Sequence, residues 1–318
     1  MENREILKEF LNLIKKDKRL IYYLTYYSLI EGILVLSIPL SLDFTINSII
    51  AHSTFSVTVV GFIIIAIFVF ITIARILQEY ILEKFQQKIF VETGLQTFDL
   101  AENVKNKPLK ISEPIKKVMN YFFDVTTVQK FFPIVILGGI TLLINVVVGF
   151  LLLLAFNIAL FELAIIIFTI YVIILLILSY NGINYAKYRS NTKHETFFFL
   201  QNLISSKKDK TEEEKEFENI LMDYLNARQK LFGVMIRQKS LTFLVQGIIY
   251  ALFFILGGFL VIEGKIPVGE FIASEIIIVF INYALNNFVA YINYFYEAIE
   301  GVYKISMLRR YLGNEKDE

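Results

Sequence analysis

Six long apolar segments, joined by connections of two very different lengths, constrain this chain more than any other feature. They cover roughly residues 21–50, 57–77, 131–155, 158–180, 241–262 and 268–292. The first, third and fifth connections are a few residues long, around His52, Asn157 and Lys265. The second (78–130) and fourth (181–240) are long and charged. A helix needs about 20 mostly apolar residues to cross a hydrocarbon core of about 30 Å. Val57–Ile73, Ile134–Phe156 and Leu163–Leu178 carry no charge at all. Lipid offers no water to backbone N–H and C=O groups, so such a stretch must be helical. A buried core helix accounts for one segment of this kind, not for six in a chain so rich in Ile, Leu, Val and Phe. The expected fold class is an all-α membrane protein, with the lipid bilayer as its first partner.

Lys and Arg set the expected orientation. The N-terminus holds Arg4, Lys8, Lys15, Lys16, Lys18 and Arg19. The 78–130 connection holds Lys84, Lys88, Lys105, Lys107, Lys110, Lys116, Lys117 and Lys130, and 181–240 is equally basic. Lys304, Arg309, Arg310 and Lys316 follow the last segment. The three short connections together carry only Lys265. Both termini and both long connections are therefore expected in the cytoplasm, in a multi-pass protein of the cell (inner/plasma) membrane. The formal net charge of +1 hides this asymmetry and says nothing useful about partners; no nucleic-acid partner is expected. The first twenty residues are polar and the first apolar run is too long for a signal h-region, so no cleavable signal peptide is expected. There is no cysteine, hence no disulfide and no thiolate metal site. With no Trp, the 18 Tyr and 30 Phe must supply the interfacial aromatics. Tyr22, Tyr23, Tyr26 and Tyr27 cluster where the first span enters the membrane, a place that also suits plain helix packing.

Residues 4–16 read as an amphipathic helix in the headgroup plane. Ile6, Leu7, Phe10, Leu11, Leu13 and Ile14 lie on one side, and mostly charged residues lie opposite. Pro39 is expected to kink the long first span near its outer side, with Asp43 and Asn47 at or beyond the external surface. Glu31 stands about 15 Å along that span from Ile21, near mid-membrane. An ionisable group there faces a cavity or a partner. Otherwise it sits lower, in the inner interface, or is protonated. Each long connection reads as two helical arms joined at a tip. In the first, Glu79–Thr97 extends the second span, Lys107–Pro108 breaks it, and Ile115–Lys130 returns. In the second, Asn181–Ser206 extends the fourth span, the polar run Lys207–Lys215 turns, and Glu216–Lys239 returns. Arms of about 25 residues reach roughly 35–40 Å below the membrane.

The sixth span carries a polar stripe. Glu275, Asn282, Asn286 and Asn293 recur at spacings of seven, four and seven, which keeps them within about 40° of one another at 100° per residue. Glu297 and Glu300 continue the stripe. Such groups are not aimed at lipid. Two carboxylates with several amides favour a hydrated path. Interhelical hydrogen bonding, as at a homodimer seam, is the alternative. Asn287 points elsewhere and reads as helix-packing glue.

The chemistry of an enzyme is not visible. No stretch matches G-x-x-x-x-G-K-S/T, and Gly264–Lys265 is followed by Ile266. His52 and His194 fall on opposite sides of the membrane and cannot share a metal, and His194 reads as a solvated helix residue. No H-E-x-x-H helix or G-x-S-x-G elbow occurs. Glu31 or Glu275 as acid/base lacks an accompanying nucleophile or metal cluster. No catalytic residue, cofactor or metal is expected.

The whole pattern resembles the six-helix transmembrane domain of ABC exporters, the type IV transporter fold. The likeness covers nearly the entire chain: an N-terminal elbow helix (1–19), a six-helix domain (20–312) and a short tail (313–318). It includes Ser37-Ile38-Pro39-Leu40 followed by Asp43 in the first span. Gly264-Lys265-Ile266-Pro267-Val268-Gly269-Glu270-Phe271 is similar to the family's G-x-L/I-T-V-G-E-L/F lead into the sixth span. Ala298–Leu312 is similar to its A-x-x-R-I-x-x-x-L exit helix, with Lys304 near the usual arginine and Ile305 after it. The first-span motif leans toward the peptide and protein secretion branch.

The resemblance implies a domain-swapped homodimer or heterodimer, and a substrate path lined by Glu31, Glu275, Asn282, Asn286, Asn293 and Glu297. It also implies coupling helices near Asp99–Lys107 and Phe198–Ser206. These would offer Asp99, Glu102, Val104, Lys105, Phe199, Gln201 and Asn202 to an ATPase. The chain ends at Glu318 without the ATPase domain usually fused there, so that domain is expected on a separate subunit. The family's G-D/E-x-x-x-R-x-x-x-D reads Ser112, Glu113, Lys117 and Tyr121 here, with an acid at Asp124. Its E-x-x-x-G-I is replaced around Gln201–Asn202 and Ser205–Ser206. Either a matched ATPase accepts these changes, or the module has lost ATP coupling and serves as a scaffold or accessory subunit of a secretion complex.

Overall fold

The computed structural model of the chain describes residues 18–52, 54–104, 114–131, 138–206 and 208–313. Nearly all of them are helical. In chain order the helices are α1 (Lys18–Ile50), α2 (Thr54–Val104), α3 (Ile115–Asn120), α4 (Val125–Phe131), α5 (Gly138–Phe156), α6 (Ile158–Leu178), α7 (Gly182–Leu203), α8 (Lys210–Ile262) and α9 (Val268–Gly313). A 3-10 turn, Tyr121–Asp124, separates α3 from α4. Six of these helices are long and apolar enough to cross a membrane, the pattern of a multi-pass membrane protein. The expected elbow helix (through residue 17), Lys105, the Lys107–Pro108 break and the tail beyond Gly313 lie outside the described residues.

Helix lengths set the architecture. The 51 residues of α2 and the 53 of α8 make rods of roughly 75–80 Å. A hydrocarbon core takes up about 30 Å, so each rod must run far beyond it. All three short connections are tight turns. His52, beyond α1, and Gly264, beyond α8, have positive φ (54° and 69°) and reverse the chain. Asn157 accepts a hydrogen bond from the Ala159 N–H and starts α6 directly after α5. At the tip of the second hairpin, Asp209 accepts from the Thr211 N–H and caps α8.

Two arms differ from the expected continuous helices, and each difference has a local cause. The fourth span does not run on into its extension. Asn181 takes a left-handed φ of 65°, so α6 stops at Leu178 and α7 starts afresh at Gly182. The Tyr296 ring of α9 lies where a side chain at position 182 would stand, so only glycine fits there. The returning arm of the first hairpin breaks at the 3-10 turn. There Tyr121 and Asp124 are buried instead of facing water. The expected third span, 131–155, is the helix α5, while Phe131 ends α4. Through Pro39, α1 stays helical. The ring removes one bond to the Val35 carbonyl, and nearby Ser37, Ser41 and Thr45 hydroxyls donate to backbone carbonyls.

α9 is the centre of the packing. It touches α1, α2, α3, α4, α5, α7 and α8. In the apolar half, Ile277, Ile278, Ile281, Leu285 and Val289 of α9 meet Leu153, Tyr171, Ile249 and Phe253. In the polar half, Ala298, Ile299, Val302 and Ile305 meet Phe85, Val125 and Val128. Small residues permit the closest approaches. Gly269, in the Val-Gly-Glu segment, sits beside Asp43 and Asn47 of α1. A Cβ at Gly301 would stand 2.7 Å from Val128 Cγ2 and 3.0 Å from the Asp124 carbonyl oxygen. Many apolar side chains of the spans point outward, among them Phe62, Ile65, Phe70 and Ile76. In water, a surface of that extent marks a binding or membrane site.

Gly301→Ala is therefore expected to cost about 1–3 kcal/mol through overpacking. Gly61→Ala, where an added Cβ meets nothing within 4 Å, is expected to be neutral or mildly stabilising through helix propensity. Thermal unfolding of the purified variants in lipid nanodiscs reads the contrast.

Candidate functional site

Among the apolar spans lies a cavity of about 780 Å³, built by four helices. α1 contributes Glu31 and Val35. α2 contributes Arg75, Gln78 and Glu79. α5 contributes Thr141, Leu142 and Asn145, and α9 contributes Phe280, Tyr283, Asn287 and Tyr291. Within each helix the lining positions recur every three or four residues, with neighbours such as Gln78/Glu79 and Thr141/Leu142 side by side, so each presents one face. Gly138 at the start of α5 lets the Tyr291 hydroxyl approach closely.

The cavity holds charge inside an apolar shell. Arg75 Nε donates to Glu31 Oε1 at 2.7 Å, joining α1 to α2. The Glu31 side chain is 7% exposed and that of Arg75 63%. The carboxylate is thus held by the wall, and the guanidinium keeps an open side. Charge assistance makes such a bond stronger than a neutral one. Beside the pair, Gln78 is buried and its Nε2 has no hydrogen-bond partner; Asn145 Oδ1 is likewise buried and unpartnered. Buried amide groups are normally satisfied, so these two mark where the polar wall is unfinished.

Of the residues expected to line a path, Glu31 reaches this cavity. Glu275, Asn282, Asn286, Asn293 and Glu297 are not among its lining residues. The α9 face that does line it lies one residue further round the helix, about 100° away. Asn282 is buried; its carbonyl accepts from Gln246 Nε2 of α8 at 2.8 Å, and its own amide atoms are unpartnered. Asn293 and Glu275 are half-buried, and Asn286 and Glu297 are exposed. Asn287, read from the sequence as glue, lines the cavity and donates to the Tyr283 carbonyl.

The expected docking residues sit at two ends. Asp99 and Glu102 are exposed on the last turns of α2, which stays helical to Val104. Gln201 is exposed and accepts a hydrogen bond from Asn120, so the two hairpins meet within one chain. Phe199 stacks on Phe217 with centroids 5.2 Å apart. Asn202 lines a shallow groove of about 320 Å³ with Phe198, Phe199, Leu203 and Ile220. At this tip Ile204 is 96% exposed.

Sequence reasoning missed Arg75, Gln78, Asn145 and the Tyr283–Tyr291 face. A signal for one of them was present: Arg75 ends an apolar run and is the natural counter-charge for Glu31. It also placed His194 in solvent, whereas the ring is buried against Asp124. Among the described residues, no group of three or more His, Cys, Asp or Glu side chains gathers as a metal site would.

No protein-family model matches the chain, and no curated protein matches it.

The Glu31–Arg75 pair is expected to couple α1 to α2 energetically. In a double-mutant cycle of Glu31→Gln and Arg75→Gln, unfolding in nanodiscs should show a coupling of about 1–2 kcal/mol. Additive single effects would remove the pair as a fastening between these spans.

Proposed function

We propose that this chain is a membrane-spanning subunit of an ABC-type exporter, forming the substrate path and energised by a separately encoded ATPase. The observation that supports this reading best is the charged, four-helix cavity within the spans, set above hairpins that run far past the membrane. The basic residues of those hairpins favour placing them, and both termini, in the cytoplasm of the cell membrane. On this reading Glu31, Arg75, Asn287 and Tyr291 face the substrate. A second subunit, most simply another copy in a domain-swapped dimer, closes the open side of the cavity. Transport proceeds by alternating access, with the long hairpins acting as levers and the spans rocking about the cavity. ATP energy enters at the hairpin tips, where Ile204 and the groove beside Phe199 and Asn202 offer a contact surface.

A second reading has its own supporting observation. Asp99–Val104 forms the last turns of the long helix α2. A docking element of this form suits an ATPase-free relative that serves as a scaffold or accessory subunit of a secretion complex.

Co-reconstitution with candidate ATPases in liposomes separates the two. The exporter reading predicts stimulated ATP turnover that falls severalfold in an Ile204→Asp variant. Absence of binding and stimulation with every candidate ATPase defeats it and leaves the scaffold reading.

A further inference from the structure

Beyond the apolar spans, a buried polar network ties the 3-10 turn of the first hairpin to α7 and α9. Asp124 on the turn is its hub. Its Oδ1 accepts from Lys193 Nζ at 3.0 Å and its Oδ2 from His194 Nε2 at 2.7 Å. From α9, Lys304 reaches in with only 2% of its surface exposed. Its ammonium donates to Asn191 Oδ1 at 2.7 Å and lies 4.3 Å from the Tyr121 ring centre. That ring in turn meets His194 edge-on, with centroids 4.9 Å apart. One turn earlier in α9, Glu300 accepts from Arg189 Nε at 2.6 Å. The charged and titratable groups facing the imidazole are therefore Asp124 and Tyr121 from the turn, Lys193 from its own helix and Lys304 from α9; the Arg189–Glu300 pair lies behind them, beside Lys193 and Asp124.

The geometry fixes the protonation of His194 in this arrangement. A carboxylate only accepts, so Nε2 carries the proton. Nδ1 is buried and has no hydrogen-bond partner. A second proton would create a buried N–H with no acceptor, beside the cations Lys304 and Lys193. A 3-10 stretch between helical pieces is also where a chain bends most readily.

We propose that Asp124, His194 and Lys304 form an acid-released latch that holds the first hairpin's 3-10 turn against α7 and α9. At neutral pH the imidazole is uncharged and the latch is closed. When the ring takes up a second proton, the closed packing cannot accommodate it, and the turn with its flanking helices α3 and α4 separates from α7. This goes beyond the transport reading, because it holds whatever the cavity carries.

The electrostatics give the same sign. Burial, and then the nearby Lys304 and Lys193 charges, push His194 below its ordinary value, although the Asp124 bond and charge oppose them. The closed state therefore binds fewer protons than an opened state with a hydrated ring. Its advantage is complete above about pH 6.5 and is lost as pH falls below that. For Asp124, burial acts upward, but the His194 bond and the Lys193 charge outweigh it and hold the carboxyl below its usual range. Its own contribution is lost only below about pH 4, far from the His194 window.

The chain has no cysteine, so a single introduced thiol reports cleanly. Ser190 is fully buried, one helical turn from His194 on the same face of α7, and Ser→Cys is nearly isosteric. Maleimide labelling of the full-length Ser190→Cys protein in nanodiscs is compared with an exposed control, Ser205→Cys, to cancel reagent and thiolate effects. The ratio should be nearly flat from pH 8 to 7 and rise by pH 5.5, by up to about tenfold, the limiting response of one proton with an ordinary value near 6.5. In a His194→Gln background, where the amide N–H can still reach Asp124 but does not titrate, the ratio should be flat throughout. A flat ratio in the His194-containing reporter overturns the latch by itself, even if the glutamine variant does not fold. A rise that persists with glutamine assigns the response to another group, such as Glu300, and also overturns it.

Discussion

The structure depends on burying one helix, α9, along its whole length. Half of its most apolar window is covered by other parts of the chain, against 12–28% for the other five spans. Lipid tails are as apolar as Leu, so nothing like the hydrophobic effect drives helices together inside a bilayer. Close fit and polar bonds must do it. α9 supplies both. Its aliphatic face, Ile277 to Val289, meets α5 and α8 in a core that α6 completes, and its glycines admit neighbours to backbone distance. Below the spans the same helix carries Ala298, Ile299 and Val302 into a second core with α2 and α4. The short elements α3 and α4 have little of their own to hold them, so they rest on this surface.

The two polar features of the molecule follow from that arrangement. Where α1, α2 and α5 surround α9 without filling the space between them, the residual volume is lined by whichever α9 face is left over, Phe280 to Tyr291. Where α7 and the 3-10 turn close on the polar half, Glu300 and Lys304 find Arg189 and Asn191. Both sites thus share one rod. A rotation of α9 that changed the cavity face would also shift Lys304 against Tyr121 and Asn191, which links the spans mechanically to the hairpins.

Most of the architecture was legible in the sequence because membrane helices are written plainly. Long uncharged runs have only one way to satisfy their backbone, and all six fall in helices long and apolar enough to cross a membrane. Breaks in the extensions were not legible, because they arise from tertiary contacts. Asn181 turns left-handed where Tyr296, more than a hundred residues away, occupies the space beside Gly182. Asp124 is drawn inward by Lys193 and His194, about seventy residues on. The cavity was half legible. Glu31 stood out as a carboxylate at membrane depth, but periodicity alone ranks the faces of α9 by polarity. It favoured the Asn282–Asn286 stripe over a face of Tyr and Phe with a single Asn, and it cannot say which face the neighbouring helices leave open.

A cysteine-accessibility scan of α9 from Val279 to Asn293 tests this arrangement most directly. It would use a small hydrophilic thiol reagent on the full chain in nanodiscs. Reactivity should peak at positions 280, 283, 287 and 291 and be least at 281, 285 and 289, where the helix is packed. A peak at 282, 286 and 293, or no periodicity at all, would contradict both the cavity face and the central placement of α9.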